Sequence, residues 1–123
     1  MLKKAAARLA KLFFILIFMK NIQLYDPALC CPTGVCGPSV DPDLVRVSAL
    51  IAKLKKDGHS VERYNLGQQP TEFITNSVVK TVLAEEGVEC LPLIFIDGQL
   101  VSRGEYPDLS VWNGWLEDGS PEI

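Results

Sequence analysis

Basic charge is the first thing this chain is short of. Its 12 Lys and Arg face 15 Asp and Glu, and the one histidine does not reverse a formal net charge of −3. A protein that holds nucleic acid by generic charge needs a basic surface that releases counterions, so that class is disfavoured, while a sequence-reading dimer with a local basic face is not. Long hydrophobic runs are missing too. The run from Leu12 to Met19 is too short to span a bilayer. Internal repeats, low-complexity stretches and a C-x-x-C pair are all absent. With 48% hydrophobic and 22% charged residues, the 123-residue chain has the composition of one folded domain rather than of a disordered segment.

The first eighteen residues differ from the rest. Lys3, Lys4, Arg8 and Lys11 precede the apolar run, in the manner of a signal peptide, but no small-residue cleavage site follows. Residues 1–18 read as an upstream extension or a miscalled start. An amphipathic surface helix and an export or membrane-attachment signal are the alternatives. The domain itself is expected over 19–117, with a loose polar tail at 118–123.

Within that domain Asn21 to Tyr25 alternates as a strand, and Asp26-Pro27 stops it. A Pro-, Gly- and Cys-rich loop runs from Asp26 to Val40. Asp41 then caps a helix with Pro42 at its first position, and Leu44, Val47, Leu50, Ile51 and Leu54 recur on one face. Lys53, Lys55 and Lys56 suit its last turn as a solvated face, with a docking patch for protein or DNA as the sharper alternative, and Gly58 ends it. Val61 to Leu66 reads as a second strand. After Pro70 comes a short helical turn from Thr71 to Thr75. Asn76 caps a further helix to Glu86, with Val78, Val79, Val82 and Leu83 as its apolar face and Gly87 as its stop. Leu91 to Ile96 reads as a buried strand, Asp97-Gly98 as a hairpin turn, and Leu100 to Arg103 as the return strand. Asp108 caps a last helix carrying Leu109, Trp112 and Leu116; Trp112 and Trp115 are expected to pack it on the sheet.

The order β-α-β-α-β-β-α predicts an α/β domain with a central mixed sheet flanked by helices. It is the order of a thioredoxin-like fold, in which Pro92 faces the loop after the first strand.

The loop holds most of the chemistry. Of the four cysteines, Cys30, Cys31 and Cys36 fall within seven residues, and Cys90 stands apart. A disulfide between neighbours closes almost no loop and strains the peptide, so the thiols read as reduced, in a reducing, cytoplasmic compartment. A helix N-terminus at the loop's end favours thiolates. Three soft thiolates select soft ions. Zinc wants a fourth ligand, and His59 begins the second strand with no evident route to the loop; it reads as a surface or cap residue. Trivalent arsenic and antimony are completed by three sulfurs. Redox chemistry is the second reading, weakened by cysteine spacings of zero and four intervening residues. Inert burial is the third. Cys90 reads as a small, partly buried residue at a strand start, with approach to the loop across the fold as the sharper alternative.

The run from Tyr25 through Cys30, Cys31 and Cys36 to Gly37 resembles the signature of the ArsD family, the arsenic metallochaperones and trans-acting repressors of arsenical resistance operons. The resemblance continues through Glu62 to Leu66, Gln68-Gln69-Pro70, Leu91-Pro92-Leu93, Asp97-Gly98 and Tyr106-Pro107, covering about Met19 to Leu116. It implies a thioredoxin-like fold and a cytoplasmic homodimer. It also implies a carrier, not an enzyme, that needs no cofactor and binds As(III) or Sb(III) on Cys30, Cys31 and Cys36. Delivery to the ArsA efflux ATPase and metalloid-responsive repression at ars operator DNA belong to the same implication, with no membrane partner. Further vicinal cysteine pairs, found near the C-terminus of some members, are absent here. A thiol oxidoreductase of thioredoxin or glutaredoxin type, such as an arsenate reductase, is the alternative.

Overall fold

The computed structural model describes residues 19–29, 31, 33, 35 and 41–117. The expectations for residues 1–18 and 118–123 lie outside the described residues. The elements are β1 (Asn21–Asp26), α1 (Pro42–Lys56), β2 (Ser60–Asn65), α2 (Pro70–Thr75), α3 (Ser77–Glu86), β3 (Leu93–Ile96), β4 (Gln99–Arg103) and α4 (Leu109–Glu117). Four strands form one sheet in the order β2-β1-β3-β4. β1 runs parallel to β2 and antiparallel to β3, and β3 pairs antiparallel with β4. This is the thioredoxin-like arrangement that the element order predicts.

Local chemistry explains the boundaries. Asp41 accepts a hydrogen bond from the Asp43 amide at 2.9 Å, and Pro42 opens α1 where no intrahelical donor is needed. The Asn76 carboxamide oxygen accepts from the amides of Val78 and Val79 at 3.0 and 3.2 Å, starting α3. Asp97 and Gly98 both take positive φ, as a two-residue hairpin turn demands, and Asp97 also bonds Asn21 at the start of β1.

Alternation along the strands builds two cores. On one face Ile22, Leu24, Ile94 and Ile96 pack with Val47, Leu50 and Leu54 of α1 and with Trp112 of α4, against which Trp115 and Leu116 also lie. On the other, Tyr25, Leu93 and Phe95 pack with Phe73 of α2, Val79 and Val82 of α3, and Leu91. Tyr25 meets Phe73 and Phe95 edge-on, with ring centroids 5.2 and 5.5 Å away. Edge-to-face aromatic contacts of this kind add to the burial of the rings themselves.

The structure corrects several details. β1 includes Asp26, which does not stop the strand but is its buried last residue. The third strand starts at Leu93; ahead of it, Val88–Cys90 form a single 3-10 turn, and the Leu91–Pro92 peptide is cis. Leu91 cannot join the ladder, because its amide donates to the Val88 carbonyl and closes that turn. Val78 and Leu109 are exposed, since α3 turns Val79 and Val82 to the sheet and α4 turns Trp112 to it. No helix among the described residues is long and apolar enough to cross a membrane.

Candidate functional site

β1 and β2 run side by side and end together, with Asp26 opposite Asn65 in register. The cysteine loop leaves the sheet at this end. Of its thiols, Cys31 is described and Cys30 and Cys36 lie outside the described residues. The Cys31 side chain is half-buried, with Sγ 3.7 Å from the Thr33 hydroxyl oxygen. That same oxygen accepts a hydrogen bond from the Val35 amide at 3.3 Å, so Thr33 organises the loop locally.

Asn65 ties the loop to the sheet. Its side-chain oxygen accepts from the amides of Leu29 at 3.1 Å and Gly67 at 2.8 Å. Its side-chain nitrogen donates to the carbonyls of Leu29 at 3.1 Å and Cys31 at 3.3 Å. A carboxamide has two donor hydrogens and two acceptor lone pairs, and here all are used. The side chain thus continues the strand pairing past the end of the backbone ladder. Gln69 holds Asn65 in turn, its side-chain oxygen accepting the Asn65 amide at 3.0 Å. Gly67 lies so close that an added Cβ would stand 3.3 Å from the Asn65 side-chain oxygen and 3.4 Å from the Ala28 Cβ.

Asp26, the partner across the register, anchors a second network. Its carboxylate receives two hydrogen bonds from the Arg63 guanidinium, at 2.5 and 3.3 Å, and one from the Tyr106 hydroxyl at 2.5 Å. Arg63 also reaches the Ser48 hydroxyl of α1 at 3.5 Å. Arg46 donates to the carbonyls of Tyr106 and Pro107 at 2.8 and 2.9 Å, holding the segment before α4 in place. Burial pushes the Asp26 carboxyl above its ordinary pKa; the hydrogen bonds from Arg63 and Tyr106 act in the other direction without cancelling it. Burial, followed by the neighbouring Asp26 charge, raises the Tyr106 phenol.

The other singled-out residues fall elsewhere. His59 stands at the opposite end of β2, where Nδ1 accepts the Lys20 amide at 3.0 Å. It latches the entry to β1. Cys90 is 4% exposed in the 3-10 turn, packed in the core with Phe73, Val79 and Leu91, and burial pushes its thiol up. At the loop's far end, Asp41 and Asp43 bring negative charge to the first turn of α1. They offset part of the partial positive charge that favours thiolates there.

Sequence reasoning gave no functional role to Asp26, Arg63 or Asn65. The signal that finds them is indirect: a charged and an amide side chain buried at the last positions of adjacent strands need partners.

A model of the protein family described as "Arsenical resistance operon protein ArsD" matches residues 19–120. Two proteins of Escherichia coli, each named "Arsenical resistance operon trans-acting repressor ArsD", are 46% identical to this chain over 99 residues. Each alignment covers 78% of this chain and 82% of the relative. A crystal structure of the arsenical resistance operon trans-acting repressor from Bacteroides vulgatus superposes with a TM-score of 0.74 at 38% identity, covering 79% of this chain and 92% of that one.

Proposed function

Because the chain belongs to the ArsD family of arsenical resistance operon proteins, we propose that it captures trivalent arsenic or antimony on the thiolates of Cys30, Cys31 and Cys36. It then passes the metalloid to the ArsA ATPase. The observation that carries this reading is a loop with three cysteines in seven residues, joined to the end of a parallel strand pair through the buried Asn65. Capture exchanges ligands. Each arsenic–oxygen bond of arsenous acid gives way to an arsenic–sulfur bond, and each departing hydroxide leaves as water with a thiol proton. No electron is transferred and no general base is required. Delivery repeats the exchange, one receiving thiol at a time, so this is a carrier and not an enzyme.

The relatives' names add a second role, repression of an arsenical resistance operon. A cytoplasmic homodimer that releases operator DNA when it loads metalloid unites the two roles. With a net charge of −3, operator binding rests on a local face rather than on the field of the whole chain.

X-ray absorption on the reduced protein with one equivalent of arsenite tests the first role. Three sulfurs are expected around arsenic, and Cys30→Ala, Cys31→Ala or Cys36→Ala should each weaken binding sharply. Full three-sulfur coordination in any of these variants would refute the ligand set. A gel shift on operator DNA, with and without arsenite, tests the second role. Turnover in a glutathione-coupled arsenate reduction assay would favour an oxidoreductase instead.

A further inference from the structure

We propose that Asn65 is the positioning residue of the cysteine loop, fixing the backbone on either side of Cys30 before a metalloid arrives. The inference rests on the metalloid reading of that loop and adds a residue to it that carries no sulfur. Asn65 is 1% exposed and grips Leu29 through both its amide and its carbonyl. It also grips the Cys31 carbonyl. A ligand that bonds to adjacent cysteines needs their backbone held in one conformation, and a floppy loop must be ordered at the moment of binding.

No other side chain of this size offers the same four contacts. Aspartate keeps the two acceptors, for Leu29 and Gly67, but sets carboxylate oxygen against the carbonyls of Leu29 and Cys31. Leucine removes all four hydrogen bonds. The tight approach of Gly67 adds a second constraint, since a methyl group there crowds the Asn65 oxygen at 3.3 Å and disturbs the grip without removing it.

The test uses the full-length protein carrying Asn65→Asp or Gly67→Ala. Losing two hydrogen bonds to the loop should weaken arsenite binding roughly tenfold or more in Asn65→Asp, with a smaller loss in Gly67→Ala. Three-sulfur coordination at saturation should persist in both. A second readout needs no metalloid: with Cys30→Ser and Cys36→Ser in place, the alkylation rate of Cys31 should rise when Asn65→Asp is added. The buried Cys90 contributes little to that rate. A folded Asn65→Asp protein with parental arsenite affinity and parental Cys31 reactivity would overturn the proposal. So would an affinity loss that merely tracks lost thermal stability, with Cys31 reactivity unchanged. Should Asn65→Asp fail to fold, Gly67→Ala decides by the same two readouts. If the parent protein binds no arsenite while Asn65→Asp still speeds alkylation, the metalloid reading falls and the positioning role stands.

Discussion

Asp26 and Asn65 are register partners at the ends of β1 and β2, 0% and 1% exposed, and they hold different parts of the chain. Asp26 is an acid tied to other side chains: Arg63 on β2 and Tyr106 in the segment before α4. Asn65 is neutral and tied to backbone: Leu29, Cys31 and Gly67. The first network joins strands to helices and so braces the frame. The second joins the frame to the cysteine loop. A charge serves the frame because its partners are fixed side chains, whereas a carboxamide serves the loop because a peptide chain presents donors and acceptors alternately. The comparison predicts that stability and metalloid binding are separable by mutation at two adjacent positions.

The largest effect should come from Asp26→Ala. It leaves the Arg63 guanidinium, 12% exposed, without its carboxylate. Breaking a buried pair from one side costs about 3–5 kcal/mol, and urea denaturation should register it. Under conditions where the variant is folded, arsenite should still find three sulfurs; loss of binding in a variant of unchanged stability would collapse the distinction between the two networks. Next comes Tyr106→Phe, which removes one hydrogen bond to the carboxylate and should cost about 1.5–3 kcal/mol. That hydrogen bond lowers the Asp26 pKa, so its removal should move the Asp26 titration further up, as carbon-detected NMR of the carboxyl can read.

The gentlest effect is on pH dependence. The folded state raises the Asp26 carboxyl above its unfolded value, so it binds that proton more tightly than the unfolded chain does. The stabilisation linked to the proton is therefore full below the ordinary carboxylate range and is lost as pH rises through the raised value. Denaturation midpoints across that window should carry this downward component, and Asp26→Asn should remove it. An upward component removed by the same substitution would mean that the ion pair, not burial, sets the titration.

The element order was legible because its signals are local. Asp41-Pro42, Asn76 and Asp97-Gly98 each declare a cap or a turn within a few residues, and the apolar periods of α1 and of the strands need no distant information. The cysteine loop was legible for the same reason. The two networks were not. Asp26 finds Tyr106 at a separation of 80 residues, and Asn65 finds Leu29 at 36. Next to Pro27, Asp26 looked like a strand terminator, because a carboxylate inside a strand end makes sense only when Arg63 is known to lie beside it. The 3-10 turn of Val88–Cys90 escaped in a similar way, its hydrogen bonds replacing ladder bonds that a strand starting at Leu91 would have made.

The latch between His59 and the Lys20 amide has a practical side. It sits where β1 begins, and the cysteine loop leaves where β1 ends, 6 residues later. At about 3.3 Å per residue, roughly 20 Å of strand separates the two. A tether joined on the N-terminal side of Met19 therefore meets the fold at the end remote from Cys31. On an electrode or a resin, such an attachment would turn the strand end that carries Cys31 toward the solution, the orientation that the proposed arsenic capture would need in a sensor.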